Sequence, residues 1–157
     1  MKNLFTLLCF VALSTGLMAQ GMNIVGAFNS YSAYEQSQYT DKQALRDDYD
    51  FIKKAEVHES TKDDAKTWYY SAKIGLYLNQ DSVLRLDYPN AIYEVTEALR
   101  KVITIGEASG QKKPRFSDEA KENLGITTVI LYNRAVDNGQ AGNDGEAYKA
   151  FKETYEV

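Results

Sequence analysis

Cysteine is almost missing from this sequence: among 157 residues Cys9 is the only thiol, and histidine and tryptophan also occur once each, as His58 and Trp68. One thiol cannot make an internal disulfide. One imidazole with no second His or Cys beside it supplies neither a transition-metal ligand set nor the partners of a hydrolytic triad. No apolar run approaches the roughly 20 residues needed to span a bilayer. A basic surface is missing too. The formal net charge is −4, the wrong sign for a nucleic-acid footprint or an anionic-membrane binder. No Gly-rich phosphate loop and no nucleophile elbow occurs, so no cofactor is expected and the chain does not read as an enzyme.

What is present begins with an export signal. Met1-Lys2-Asn3 is a short positive region, Leu4 to Leu13 is apolar apart from Thr6, and the stretch from Ser14 ends on Ala19 before Gln20. This is the pattern of a secretory signal peptide over residues 1–19, with Leu17 bulkier than the small residue favoured three places before the cut. Cys9 lies inside the apolar run rather than after it, which argues against lipidation there. Removing residues 1–19 leaves 138 residues with no cysteine and a net charge of −5. The exported chain must then hold together by packing alone, and a length near 140 residues buries about two-thirds of the unfolded surface.

Twelve tyrosines and the four phenylalanines beyond residue 19 supply much of that packing. Residues 20–39, rich in Gly, Asn, Ser, Gln and Tyr, read as a flexible leader that stays irregular or starts a loose helix. Thr40-Asp-Lys-Gln43 predicts a capping box for a helix from Asp41 to about Val57, its inner face formed by Ala44 or Leu45, Tyr49, Ile52 and Ala55 or Glu56. Thr61-Lys-Asp-Asp64 predicts a second box and a helix reaching about Leu78. In that helix Trp68, Ala72 and Leu76 line one stripe, and Tyr70, Ile74 and Tyr77 an adjoining one, so it needs neighbours on two sides. Gly75 marks either a close approach by another helix or a weak last turn.

Asn79 to Asn90 reads as a long connection closed by Tyr88-Pro89. A helix from Asn90 or Ala91 to Ile105 follows, with Ile92, Val95, Leu99, Val102 and Ile103 inward and Gly106 as its C-cap. After a connector carrying Lys112, Lys113 and Arg115, Ser117 opens a helix to about Asn138 through Ala120, Leu124, Thr127 or Thr128, Leu131 and Ala135. Gly139 to Gly145 is a turn by composition. Glu146 to Val157 is a last helix packing through Ala147, Ala150 or Phe151, and Thr154 or Tyr155.

Trp68, Ser71, Ala72 and Gly75, followed by Val95, Leu99 and Val102, fall at the spacing of a two-helix repeat unit. Leu131, Arg134, Ala135, Asn138, Gly142, Ala147, Phe151 and Thr154 repeat it without a gap. In this the chain resembles exported tetratricopeptide repeat (TPR) proteins of the kind found in Bacteroidota. Gly75 replaces an expected aromatic, Arg134 and Asn138 replace apolar or aromatic choices, and the first unit's two helices are separated by about eleven extra residues. The resemblance implies an all-α domain over residues 40–157, with antiparallel helix pairs stacked as a short right-handed superhelix. It also implies a protein-interaction scaffold of the periplasm or cell envelope, with no catalytic residue to carry over. A structural or self-associating envelope protein with no separate ligand is the alternative.

If the concave side of such an array binds a protein or extended peptide, Tyr69, Lys73, Tyr132 and Asn133 are the candidate contacts, because they lie on first helices. Against them stands plain solvation of that side. His58 reads as loop or cap, Asp47 and Asp50 as a solvated helix face near Lys53 and Lys54, and Asn143 to Glu146 as a turn without the ligand spacing of a calcium loop.

Overall fold

The computed structural model describes residues 25–29 and 31–155, so the expected signal peptide at 1–19 lies outside them. Helix is the only regular structure among the described residues. Helical residues 25–29 and 31–36 lead into α1 (Lys42–Val57), α2 (Ala65–Gln80), the single turn α3 (Leu84–Asp87), α4 (Ala91–Ala108), α5 (Ser117–Gln140) and α6 (Asp144–Tyr155). The all-α expectation holds. The connection before α4 contains α3, which periodicity could not reveal in four residues.

Consecutive long helices pack on one another, α1 with α2, α2 with α4, α4 with α5 and α5 with α6, the α2–α4 and α5–α6 contacts being the most extensive. Their directions follow from side-chain pairs. Lys42 meets Asp81 while Glu56 meets Ser71, so α1 and α2 are antiparallel. Lys101 sits 3.6 Å from the Trp68 ring while Gly75 lies against Val95, so α4 runs back along α2. Tyr132 touches Phe151 and Gly139 faces Ala147, which makes α5 and α6 antiparallel.

The core divides into two clusters, and α2 belongs to both. Ile74 and Leu78 pack with Leu45, Ile52, Ala55 and Leu84, whereas Trp68, Tyr69 and Ala72 pack with Val95, Leu99, Val102 and Ala120. This is the two-sided cover that its double stripe requires. Gly75 makes it possible. A methyl group on Gly75 would stand 2.5 Å from Val95 Cγ2 and 3.3 Å from the Ala91 carbonyl oxygen, so the glycine marks a close helix approach rather than a weak last turn.

The leader starts a helix, the second of its two readings, and three of its residues enter the core. Ala27, Tyr31 and Tyr34 are buried in the first cluster, because Tyr31 and Tyr34 set their rings against Tyr77 at 5.7 and 5.6 Å. Burial of large aromatic area orders a segment whose composition alone reads as loose.

Both expected capping boxes are replaced. Asp41, not Thr40, caps α1 by accepting from the Ala44 amide, and Gln43 donates to Asp47 instead of reaching back. Asp64 caps α2 by accepting from the Lys66 amide. Thr61 turns the other way and donates to the Ala55 carbonyl, closing the end of α1. Aspartate wins in both places because its carboxylate accepts more strongly than a hydroxyl and suits the positive helix end.

Gly106 is likewise not a C-cap. It is buried within α4, where a Cβ would collide with Ser117 Oγ, and the left-handed turn falls on Gly110 at φ +66°. Ser117 is the first residue of α5, and the N-cap position is taken by Phe116 at φ +70° with no side-chain cap. A bulky residue there is strained by about 1–3 kcal/mol. The compensation is tertiary: Phe116 stacks on Tyr69 at 4.2 Å and 19°.

Two substitutions test this packing. Gly75→Ala should destabilise by about 1–3 kcal/mol through overpacking against Val95, despite the ~1 kcal/mol gained in helix propensity. Trp68→Ala should cost about 3–5 kcal/mol, as aromatic core truncations do. Urea unfolding measures both. A stabilised Gly75→Ala, or a Trp68→Ala cost below about 1 kcal/mol, would contradict the packing described.

Candidate functional site: a cleft between α2 and α5

Because α4 reverses α2 and α5 reverses α4, α2 and α5 run parallel. Tyr69 near the start of α2 meets Phe116 and Glu119 at the start of α5, and the end of α2 comes beside the end of α5. There the two helices leave a cleft of about 480 Å³, closed on one side by α3 and Pro89. Asn79 comes from α2, Arg85 and Leu86 from α3, and Ile130, Asn133, Arg134, Asp137 and Asn138 from α5.

The cleft is held in shape by its own polar contacts. Arg134 Nη1 donates to the Pro89 carbonyl at 2.8 Å, and Asn138 Nδ2 donates to the Arg134 carbonyl at 2.8 Å. On the outer side Lys149 Nζ donates to Asn90 Oδ1 at 2.9 Å and lies 4.1 Å from the Tyr93 ring centre, fixing the same connector from α6. Arg134, which departs from the repeat pattern in the sequence, therefore ties the Pro89 connector to the second pair. The exposed Asn133 amide can donate to and accept from a peptide backbone, and the exposed Arg85 guanidinium can hold a carboxylate.

The four candidate residues separate into two places. Tyr69 is 8% exposed, its ring stacked on Phe116 and its hydroxyl donated to Glu119 Oε1 at 2.8 Å. Lys73 is half-buried, its ammonium 5.2 Å from the Tyr31 ring centre and 5.4 Å from that of Tyr69. Tyr132 and Asn133 lie about 20 Å further along α5 than Glu119, at the α-helical rise. Asn133 lines the cleft, while Tyr132, 54% exposed, turns to Phe151 of α6 with ring centres 5.8 Å apart. One of the four thus lines the cleft. Asn79, Arg85 and Asp137 join it there without any motif to single them out, since only the pairing of α2 with α5 assembles them.

A second concave spot lies where the leading segment meets α2. Tyr34, Tyr39, Tyr77, Gln80 and Asp81 line about 440 Å³ there. Tyr39, at φ +65°, stacks on Tyr77 at 5.5 Å. Burial alone would raise the Asp81 carboxyl, but the Leu84 amide, the Lys42 ammonium and the Val83 amide together hold it below the usual range. That carboxylate is committed to capping and pairing. His58 closes α1 and contacts Ser60 through Nδ1 at 3.0 Å. Among the described residues no three His, Cys, Asp or Glu side chains stand together so as to hold a metal ion.

Phe28 and Tyr31 both set their rings against Tyr70, which touches Tyr69, which stacks on Phe116, so ring contacts cross from the leading segment over α2 to α5. Burial pushes the Tyr31, Tyr49 and Tyr69 phenols above their ordinary value near 10, and hydrogen bonds to Glu35, Glu94 and Glu119 add to the shift. Since the folded state holds these protons more tightly than the unfolded chain, their contribution to stability is full below about pH 10 and is lost as pH rises above it. A phenolate absorbance titration should show these three ionising only as the helical signal collapses. Ionisation of all twelve tyrosines with helicity intact would contradict the burial. No family model matches the chain, and comparisons with curated proteins and with solved structures found no match.

Proposed function

We propose that this chain is an exported, non-enzymatic helical-repeat scaffold of the cell envelope, of the TPR kind it resembles in Bacteroidota, docking a protein partner between its first helices. The observation that carries this reading is the cleft between the parallel helices α2 and α5. Its exposed Asn133 and Arg85 offer backbone and carboxylate recognition beside the apolar Leu86 and Ile130. Such a mixture suits an extended peptide, whose backbone needs paired donors and acceptors and whose side chains need apolar contact.

The order of helices supports the repeat reading. Trp68 and Ala72 on α2, and Leu131 and Ala135 on α5, are buried at the same spacing and belong to pairs closed by α4 and α6. The leading helical residues, beside α1 at Gly26 and Phe51 and beside α2 at Tyr70 and Tyr77, take the place of a first helix to α1. A right-handed superhelix of three such pairs is the arrangement we infer. The mildly acidic charge and the lack, among the described residues, of any helix long and apolar enough to cross a membrane are compatible with a periplasmic or secreted location.

A second reading, a self-associating structural protein, is favoured by one observation: Tyr148 and Tyr155 on α6 are 72% and 87% exposed. Equilibrium sedimentation decides it, since a monomer at every accessible concentration removes self-association.

For the leading reading, the double variant Asn79→Ala, Asn133→Ala should lower capture of a cross-linked envelope partner at least about tenfold, as loss of central polar contacts does. Circular dichroism should be unchanged because Asn133 is exposed and Asn79 is at the surface of the cleft. Equal capture by the variant and the parent chain would sink the cleft as the docking site.

A further inference from the structure

The first helix pair is a template for the second, and the two differ in what covers them. Sixty-three residues separate Trp68 and Ala72 of α2 from Leu131 and Ala135 of α5, and all four are buried. Fifty-two residues separate Val95 and Ala98 of α4 from Ala147 and Ala150 of α6, and these are buried too. By the same offsets Tyr69 corresponds to Tyr132, Thr96 to Tyr148 and Ile103 to Tyr155. Here the match in burial ends. Tyr69 is 8% exposed and Tyr132 54%, while Thr96 is 0% exposed and Tyr148 72%.

The cause of the difference is visible in the first pair. Its outer face is covered by α5, whose Phe116 stacks on Tyr69, whose Glu119 accepts the Tyr69 hydroxyl, and whose Ala120 and Leu124 join the cluster around Leu99 and Val102. On α4, Tyr93 and Arg100 flank Thr96 on the same face and meet Arg134 of α5 and Glu153 of α6. On the second pair the corresponding face remains open among the described residues. Tyr148, Phe151 and Tyr155, one helical stripe, line about 510 Å³ of apolar concavity with Lys152 at its side, and Tyr132 adjoins Phe151.

We infer that this face docks one amphipathic helix of a partner protein, laid against α5 and α6 as α5 is laid against α2 and α4. The contacts that α5 makes with α2 and α4 fix the chemistry of that helix. It carries an aromatic side chain to stack on Tyr132, a carboxylate three residues on to accept the Tyr132 hydroxyl, and apolar residues four and eight residues on, the pattern Phe116, Glu119, Ala120 and Leu124. Helix-in-groove recognition through such spaced anchors is an established mode of association, and a contiguous exposed aromatic stripe marks an interaction site. This surface is distinct from the α2–α5 cleft.

The probe is a labelled peptide of residues 113–131 of this chain, titrated with the whole protein and followed by fluorescence anisotropy. Saturable binding is expected, weakened at least about tenfold by Tyr148→Asp with Tyr155→Asp in the protein, and equally by Phe116→Ala in the peptide. Both tyrosines are exposed, so the variant should keep its helicity by circular dichroism. Asn79→Ala, in the cleft, should leave peptide binding unchanged, which separates failure here from failure of the proposed function. Absence of saturable binding, or binding indifferent to the two tyrosines, overturns the inference. Sedimentation of the protein alone supplies the other outcome: a dimer abolished by the same two substitutions would assign the face to a second copy and likewise overturn it.

Discussion

The approach of α4 to α2 at Gly75 is the constraint on which the rest depends. With no side chain at this position the Val95 methyl and the Ala91 carbonyl can close onto α2, which sets the line of α4 and hence of α5 behind it. The cost is a glycine in a helix interior, about 1 kcal/mol against alanine. Burial of Trp68, Ala72, Val95 and Leu99 in one cluster offsets it, since each fully buried large apolar side chain contributes about 1.5–3 kcal/mol. At Gly106 the device recurs one interface later, where the start of α5 closes on α4. Small residues thus set the spacing of the helices, and the larger side chains fill what the spacing leaves.

Aromatic rings join the leading segment, α2 and the start of α5. The series from Phe28 to Phe116 links the leading segment, α2 and α5 through ring contacts within 6.2 Å. Tyrosine suits this because one end packs while the hydroxyl finds an acceptor. Tyr49 reaches Glu94, Tyr69 reaches Glu119 and Tyr31 reaches Glu35. The same pairing explains the left-handed Phe116. Local preference would put a capping side chain there, but stacking on Tyr69 holds the ring and α5 begins without a cap. The contact with α2 outranks the local rule at that residue.

Much of the candidate site was beyond the reach of the sequence. Asn133 was legible as a polar residue of the helix that is α5, and it lines the cleft between α2 and α5. Arg85 and Leu86 were not, because α3 is a single turn with no period to read inside a long connection. Tyr69 looks the same in the sequence as Tyr132. One is stacked and hydrogen-bonded, and the other faces solvent beside Phe151. What distinguishes them among the described residues is that the start of α5 covers Tyr69. Capping also misled: Thr40 and Thr61 match the box pattern, but the adjacent Asp41 and the later Asp64 are better acceptors and take the positions.

By itself the sequence determined the all-α class, the long helices and their inner faces. An apolar stripe of period 3.6 specifies a helix and its buried side regardless of what it meets. The Leu45 and Ile52 face of α1, the Ile92 to Val102 face of α4 and the Ala120 to Ala135 face of α5 are accordingly in the core. Only the tertiary structure decided that Gly75 is a contact point, that the leading tyrosines belong to the core, and that Asn79, Arg85 and Asn133 share a cleft. Those facts depend on residues distant in the chain meeting across helices. A stripe states that a neighbour is needed, but not which one.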